Sequence, residues 1–423
     1  MTEERKKHIY LAIMFGAYMF LHTTTLLLAN RGSNGYISPT LEENLYYIHM
    51  TFMILGFASF VLLYRLFNKA TRIFTACTIA VLTAGIAILY SMKTAWVFVG
   101  VGSAAVYCLG YLGALVYRRM SMETVSGSRT GLVMGIGCGS AYILQYFLEG
   151  RSISPVLPAV IAIAIAALGY VLLWHGEATE HENSTEDGGK VRHSVICAVI
   201  IAGGFIFFNS FFNGYMHHLQ IQSNFRQIGA YAWPRLMLVP VYLVFGFLGD
   251  IKNGKFIPLA ALFVGMFTLM HSVLAKSETA YWINMCLFYV SIASTISYYN
   301  IIFWNIAPKT RHPEIWASAG RVMDEISVII LGLTKFSSLP ITAVLVLNIL
   351  VLFAVILAMA VNGDFNVFSA EPSPVREELT QEETLEIIQT QYSLTPAEMK
   401  VLRELVLTND KLHTYRSHGH VKR

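Results

Sequence analysis

Between residues 8 and 361 the chain alternates long apolar runs with short polar breaks. About 20 mostly apolar residues are needed for a helix to cross the hydrocarbon of a bilayer. Runs of that kind fall near 8–30, 46–67, 71–91, 96–117, 130–147 and 155–174, and then near 194–216, 229–249, 256–274, 280–304, 316–335 and 340–361. The pattern predicts twelve transmembrane helices, divided six and six by the polar stretch "HGEATEHENSTEDGGKVRH" at residues 175–193. The expected fold is all-α: a polytopic membrane protein with one six-helix bundle over residues 1–174 and a second over 194–361. A linker at 362–390 and a short polar tail at 391–423 follow.

Composition agrees with the pattern. Residues of the AVILMFWYC set make up 55% of the chain and charged residues 13%, with a mean hydropathy of +0.55. Soluble domains carry about 25% charged residues, so this chain has too few to cover a water-exposed surface. Cys77, Cys108, Cys138, Cys197 and Cys286 all sit inside apolar runs without paired spacing, as small packing residues do. The first apolar run follows "MTEERKKH" and lacks a small-residue cleavage site, which predicts a retained span rather than a signal peptide.

Net charge, formally +4, matters less than where the charges fall. With the N-terminus placed in the cytoplasm, the inner segments before the tail hold 15 Lys and Arg residues and the outer loops 6. Excess basic charge in cytoplasmic loops is the rule for membrane proteins. Both termini are therefore expected on the cytoplasmic side.

Between the eighth and ninth runs stands "GFLGDIKNGKF", with Gly246, Asp250, Gly254 and Lys255. It resembles the loop signature of the major facilitator superfamily, although its Asp-to-Gly gap is one residue longer. The corresponding loop after the second run, "YRLFNKATRIF", keeps Arg65, Lys69 and Arg72 without the Gly and Asp. The resemblance implies two six-helix bundles related as parallel repeats. An Asp at such a helix end is expected to latch one helix to another; the plainer alternative is a solvated turn after a helix.

Charges inside spans are costly and face partners or wet cavities. In "IWASAGRVMDEISVIILGLTKF", Arg321 precedes Asp324 by three residues and Glu325 by four, placing a cation beside two anions on one helical face. The three are candidates for a gate or a ligand or proton site, or else for an ion cluster that fixes packing. Asn209 and Asn213 are four apart, and "SYYNIIFWN" brings Tyr298, Asn300 and Trp304 close along one helix. These amide and aromatic groups are expected either to line a pocket for an unidentified small molecule or to join helices by hydrogen bonds. His22 and His271 are expected to be packing residues. Gly131, Gly135 and Gly139 flatten one face of the fifth helix for close approach. No phosphate-cradling loop, HExxH or CxxC pair appears, so no catalytic residue, metal or cofactor is predicted.

The tail differs in character. In "YSLTPAEMKVLREL", Thr395 is placed as an N-cap, Pro396 in the first turn and Glu398 at the reciprocal capping position. Leu394, Thr395, Pro396, Glu398, Val401, Leu402 and Leu405 resemble the opening of a LuxR-type helix-turn-helix domain. This resemblance implies a bacterial membrane-bound transcription regulator in the cytoplasmic membrane, reading DNA as a dimer. The family's recognition helix must enter the major groove, and the "LHTYRSHGHVKR" that follows Lys411 does not match it. A truncated reader is expected, with DNA as a partner only if the domain is completed. The alternative from another class is a secondary transporter with an incidental tail.

Overall fold

A computed structural model describes residues 3–31, 35–67, 70–123, 129–149, 156–175, 188–223, 233–274, 277–334 and 339–364. All lie within one compact unit, Met1–Asn366. Residues 365–423, which hold nearly all of the expected linker and the tail helix expected after Thr395, fall outside the described residues, as does most of the central loop. No strand occurs among the described residues. The helices are α1 (Glu3–Arg31), α2 (Pro39–Leu66), α3 (Thr71–Ser91), α4 (Gly102–Glu123), α5 (Thr130–Glu149), α6 (Val156–His175) and α7 (Gly188–Ser223). Then come α8 (Leu238–Asp250), α9 (Phe256–Leu274), α10 (Glu278–Ile306), the single turn α11 (Pro313–Trp316), α12 (Ala319–Leu333) and α13 (Ile341–Asn362).

Ten of these helical stretches are long and apolar enough to cross a membrane. The chain is thus an all-helical, multi-pass membrane protein. The two expected spans not among the ten are the eighth and the eleventh. Helix α8 has 13 residues and follows a 3-10 turn at Trp233–Met237 that contains Pro234. Helix α12 has 15 residues and is separated from α11 by a break at Ala317 and Ser318. Proline lacks the N–H that a continuous helix requires, so the apolar run around Pro234 is not one regular helix.

Helix ends follow local chemistry. Pro39 opens α2, where a missing N–H costs nothing. Ser277 caps α10 by accepting from the Ala280 N–H at 3.3 Å. Gly363 ends α13 at φ 78°, a left-handed backbone that suits glycine. A π turn at Val97–Val101 precedes α4.

Helix pairing recurs along the chain. Helix α1 packs on α4, α5 and α6, α2 on α4, and α3 on α4 and α6. In the second half α7 packs on α10, α12 and α13, α8 on α10, and α9 on α10 and α13. Taking α7–α10, α12 and α13 in order beside α1–α6, each of these pairings has its counterpart. Across the halves, α5 packs on α8, α2 on α12, and α4 on α10 and α11.

One end of the molecule gathers basic side chains. Arg119, buried near the end of α4, donates to the Leu173 carbonyl at 3.0 Å and closes the last turn of α6. The Tyr10 hydroxyl of α1 donates to the neighbouring Leu172 carbonyl. Lys7 pairs with Glu123 at 3.6 Å, and Arg118 donates to the Tyr64 hydroxyl at 2.5 Å. The start of α1 and the ends of α2, α4 and α6 therefore share this basic end.

Candidate functional site

The side chains singled out on α12 converge with α1 in the interior. Arg321 Nη1 lies 3.1 Å from Asp324 Oδ2, and Arg321 Nη2 lies 2.5 Å from Glu325 Oε1. Spacings of three and four residues place both carboxylates on the face that carries the arginine. The same Nη2 meets Nε2 of His22 on α1 at 2.8 Å. Glu325 Oε1 stands 3.9 Å from that His22 nitrogen. From α10, the Tyr299 hydroxyl donates to Asp324 Oδ2 at 3.4 Å. Glu325 is 2% exposed and His22 4%, so the pairing is made away from bulk water. Buried ions are tolerated where partners and hydrogen bonds replace hydration, and here each has at least one.

An aromatic wall continues from this cluster towards the basic end. The rings of Tyr18 and His22 are 6.0 Å apart, Tyr18 and Tyr117 5.9 Å, and Tyr117 and Trp304 5.8 Å. Phe15 completes it, edge-on to Trp304 at 5.1 Å. The Tyr18 hydroxyl, His22 Nδ1 and Trp304 Nε1 are buried without a protein hydrogen-bond partner. Where α4 and α10 meet, Ser121 Oγ donates to the Trp304 carbonyl at 3.1 Å.

The remaining candidates take other places. Asn209 on α7 is tied to α10: its Nδ2 donates to Thr295 Oγ1 at 2.6 Å, and its Oδ1 accepts from Ser291 Oγ at 2.7 Å. That is a helix–helix bond within the second half. Asn213 is exposed. Tyr298 is buried with its ring edge-on to Phe205. Asn300 is buried, with Nδ2 facing Met134 Sδ of α5 at 3.9 Å.

Asp250 ends α8 and accepts the N–H groups of Gly131 at 2.7 Å and Leu132 at 3.0 Å. It therefore caps the start of α5 from another helix, where the unsatisfied N–H groups and the helix dipole favour an anion. Burial pushes its carboxyl above the ordinary range, while the two N–H groups, Arg129 and His8 pull the other way. Gly246 lies one turn earlier, against Gly131: a Cβ on either would run into the other's carbonyl oxygen. Gly254 turns the chain at φ 80°, and Lys255 follows it into α9. A second fastening joins the other pair of helices, with Arg65 at the end of α2 bound to Glu314 on α11 at 2.7 Å.

Sequence reasoning treats His22 as packing, places Tyr299 within "SYYNIIFWN" beside Tyr298 and Asn300 without its link to Asp324, and does not single out Tyr18 or Glu314. A lone histidine in an apolar run has no pattern that announces a charge 299 residues away. Glu314 did carry a signal, since an acidic residue directly after Pro313 belongs to a first helical turn.

Together these features define a multi-pass helical membrane protein with an ion cluster buried between its first and penultimate long helices. No protein-family model matches the chain, and no curated protein matches it.

Proposed function

We propose that the membrane region is a twelve-helix, facilitator-like pair of six-helix bundles acting as the sensing part of a LuxR-type membrane-bound regulator. The parallel-repeat reading is supported by the helix pairings of the first half, which recur in order in the second. The functional reading is carried by the cluster of His22, Arg321, Asp324 and Glu325, because its bonds cross from one half to the other. A group that binds there with different strength in two arrangements of the halves shifts their balance. The Leu394–Leu405 resemblance supplies the regulatory output, and the basic end supports a cytoplasmic location for both termini in a bacterial inner membrane. A second reading is a secondary transporter, favoured by the Asp250 cap at the loop that resembles the facilitator signature.

The two readings part on the tail. Because the reader is expected to be incomplete, transcripts are compared between cells producing the chain with its tail extended to a complete LuxR-type domain and cells producing a chain without residues 379–423. Transcript changes that require the tail support the regulator. An identical profile, with solute movement retained in vesicles of the shortened protein, sinks it in favour of transport.

A further inference from the structure

The contact between His22 and Arg321 determines where the histidine keeps its proton. A guanidinium has only N–H groups to offer, so the imidazole Nε2 that meets Arg321 Nη2 at 2.8 Å presents a lone pair. The ring is then neutral with its hydrogen on Nδ1, which is buried without a protein partner. Glu325 Oε1 stands within 3.9 Å of the same Nε2. With Arg321 positive and both carboxylates ionised, the cluster holds one surplus negative charge.

We infer that His22 Nε2 is a proton-binding site at which an incoming proton and Arg321 compete, so that protonation exchanges the His22–Arg321 link for a His22–Glu325 ion pair. The new N–H bond uses the lone pair that Arg321 had engaged. Two cations cannot share that contact, so the guanidinium falls back on Asp324, already 3.1 Å away. Glu325 then accepts from the imidazolium. The proton cancels the surplus charge, and the link between α1 and α12 changes from a neutral acceptor to an ion pair. Other titratable groups within electrostatic reach of the cluster, among the described residues, are Tyr18 on α1, Tyr46 on α2, Tyr117 on α4, Cys138 and Tyr142 on α5 and Tyr299 on α10. Phenols and thiols are ordinarily neutral below about pH 8, which leaves His22 and the two carboxylates to respond in the acid range.

The inference rests on reading this cluster as the responsive centre. It is tested by solid-state NMR of the full chain in lipid, uniformly labelled with ¹⁵N-histidine, with the His22 signals identified by their loss in His22→Gln. At alkaline pH the expected state is the Nδ1–H tautomer, converting to the doubly protonated ring as pH falls. Arg321→Met removes the competitor and is expected to raise proton affinity by about tenfold or more, and Glu325→Gln to lower it by about tenfold, one pH unit each way. Arg321→Gln, which removes the charge and keeps a hydrogen-bonding side chain, is expected to shift the midpoint in the same direction as Arg321→Met and serves if the Met variant does not fold. An Nε2–H tautomer, or midpoints that move in the same direction in both variants, overturns the site. So does a His22 that stays neutral wherever the protein stays folded. Titration as expected, with a transcript profile indifferent to His22→Gln in the chain extended to a complete LuxR-type domain, keeps the proton site and removes the regulatory reading instead.

Discussion

Arg321 shows at the scale of one residue how unequal buried charges are in their consequences. Among the described residues its guanidinium is the cation to which both carboxylates of the cluster bond. Removing one member of a buried ion pair costs about 3–5 kcal/mol because the other charge is left stranded, whereas replacing the whole set by neutral groups is often harmless. Arg321→Ala is therefore expected to lower the melting temperature in detergent sharply, and Arg321→Met with Asp324→Asn and Glu325→Gln to recover most of the loss. Normal melting of Arg321→Ala would mean that water reaches the carboxylates. The RxxDE spacing was legible because it follows helical geometry alone. His22 was not, because its role depends on which helix packs opposite, and that is set by the whole bundle.

At the scale of elements, the crossing of α5 and α8 is built from backbone. Gly131, Gly135 and Gly246 bring main chains together with no side chain between them, and a Cβ at any of the three would overlap the facing helix. Gly139, the third glycine on that face of α5, meets only the Val239 side chain at 3.6 Å and its carbonyl at 3.8 Å. Gly131→Ala and Gly246→Ala are expected to lower stability by about 1–3 kcal/mol, the usual cost of overpacking, while Gly139→Ala stays near the parent. Thermal unfolding of the purified variants measures the difference. Equal tolerance at all three positions would show that the helices stand further apart. The small-residue spacing was readable from the chain, but the partner helix was not, since a flat face is compatible with any close neighbour. Helices α8 and α12 were expected as full spans; length of apolar run does not register where Pro234, or the break at Ala317, ends regular backbone.

For the whole molecule, the two halves are fastened at the ends of α2 and α8. Asp250 holds the start of α5, and Arg65 holds Glu314 ahead of α12. Between these points α4 meets α10 at Ser121 and Trp304, both fully buried. Arg65 is 42% exposed, and an exposed ion pair contributes about 0–1 kcal/mol, so the Arg65 fastening is weak alone. Ser121→Cys is expected to resist a membrane-impermeant maleimide in the otherwise unchanged chain and to react once Arg65→Ala and Asp250→Ala are added. Lack of labelling in the combined variant would show that α4 and α10 stay closed without either fastening. The six-and-six division of runs leads one to expect two related bundles, a reading that the recurring helix pairings support. The fastenings themselves unite residues far apart in the chain: Asp250 and Arg65 stand in the two corresponding loops, while nothing in the chain pairs them with Gly131 or Glu314.

The glycine crossing also bears on motion. Interlocked side chains resist sliding because every displacement must lift ridges out of grooves. Where α5 lies bare against α8, few ridges need clearing, and the restraint falls to the Asp250 cap at one end and to Arg235 on Gln145, 3.0 Å apart, near the other. That side of the protein is a close backbone fit held at discrete points, by Asp250 at one end, by Arg235 near the other, and between them by Tyr142 of α5 stacked on Tyr242 of α8 at 5.6 Å.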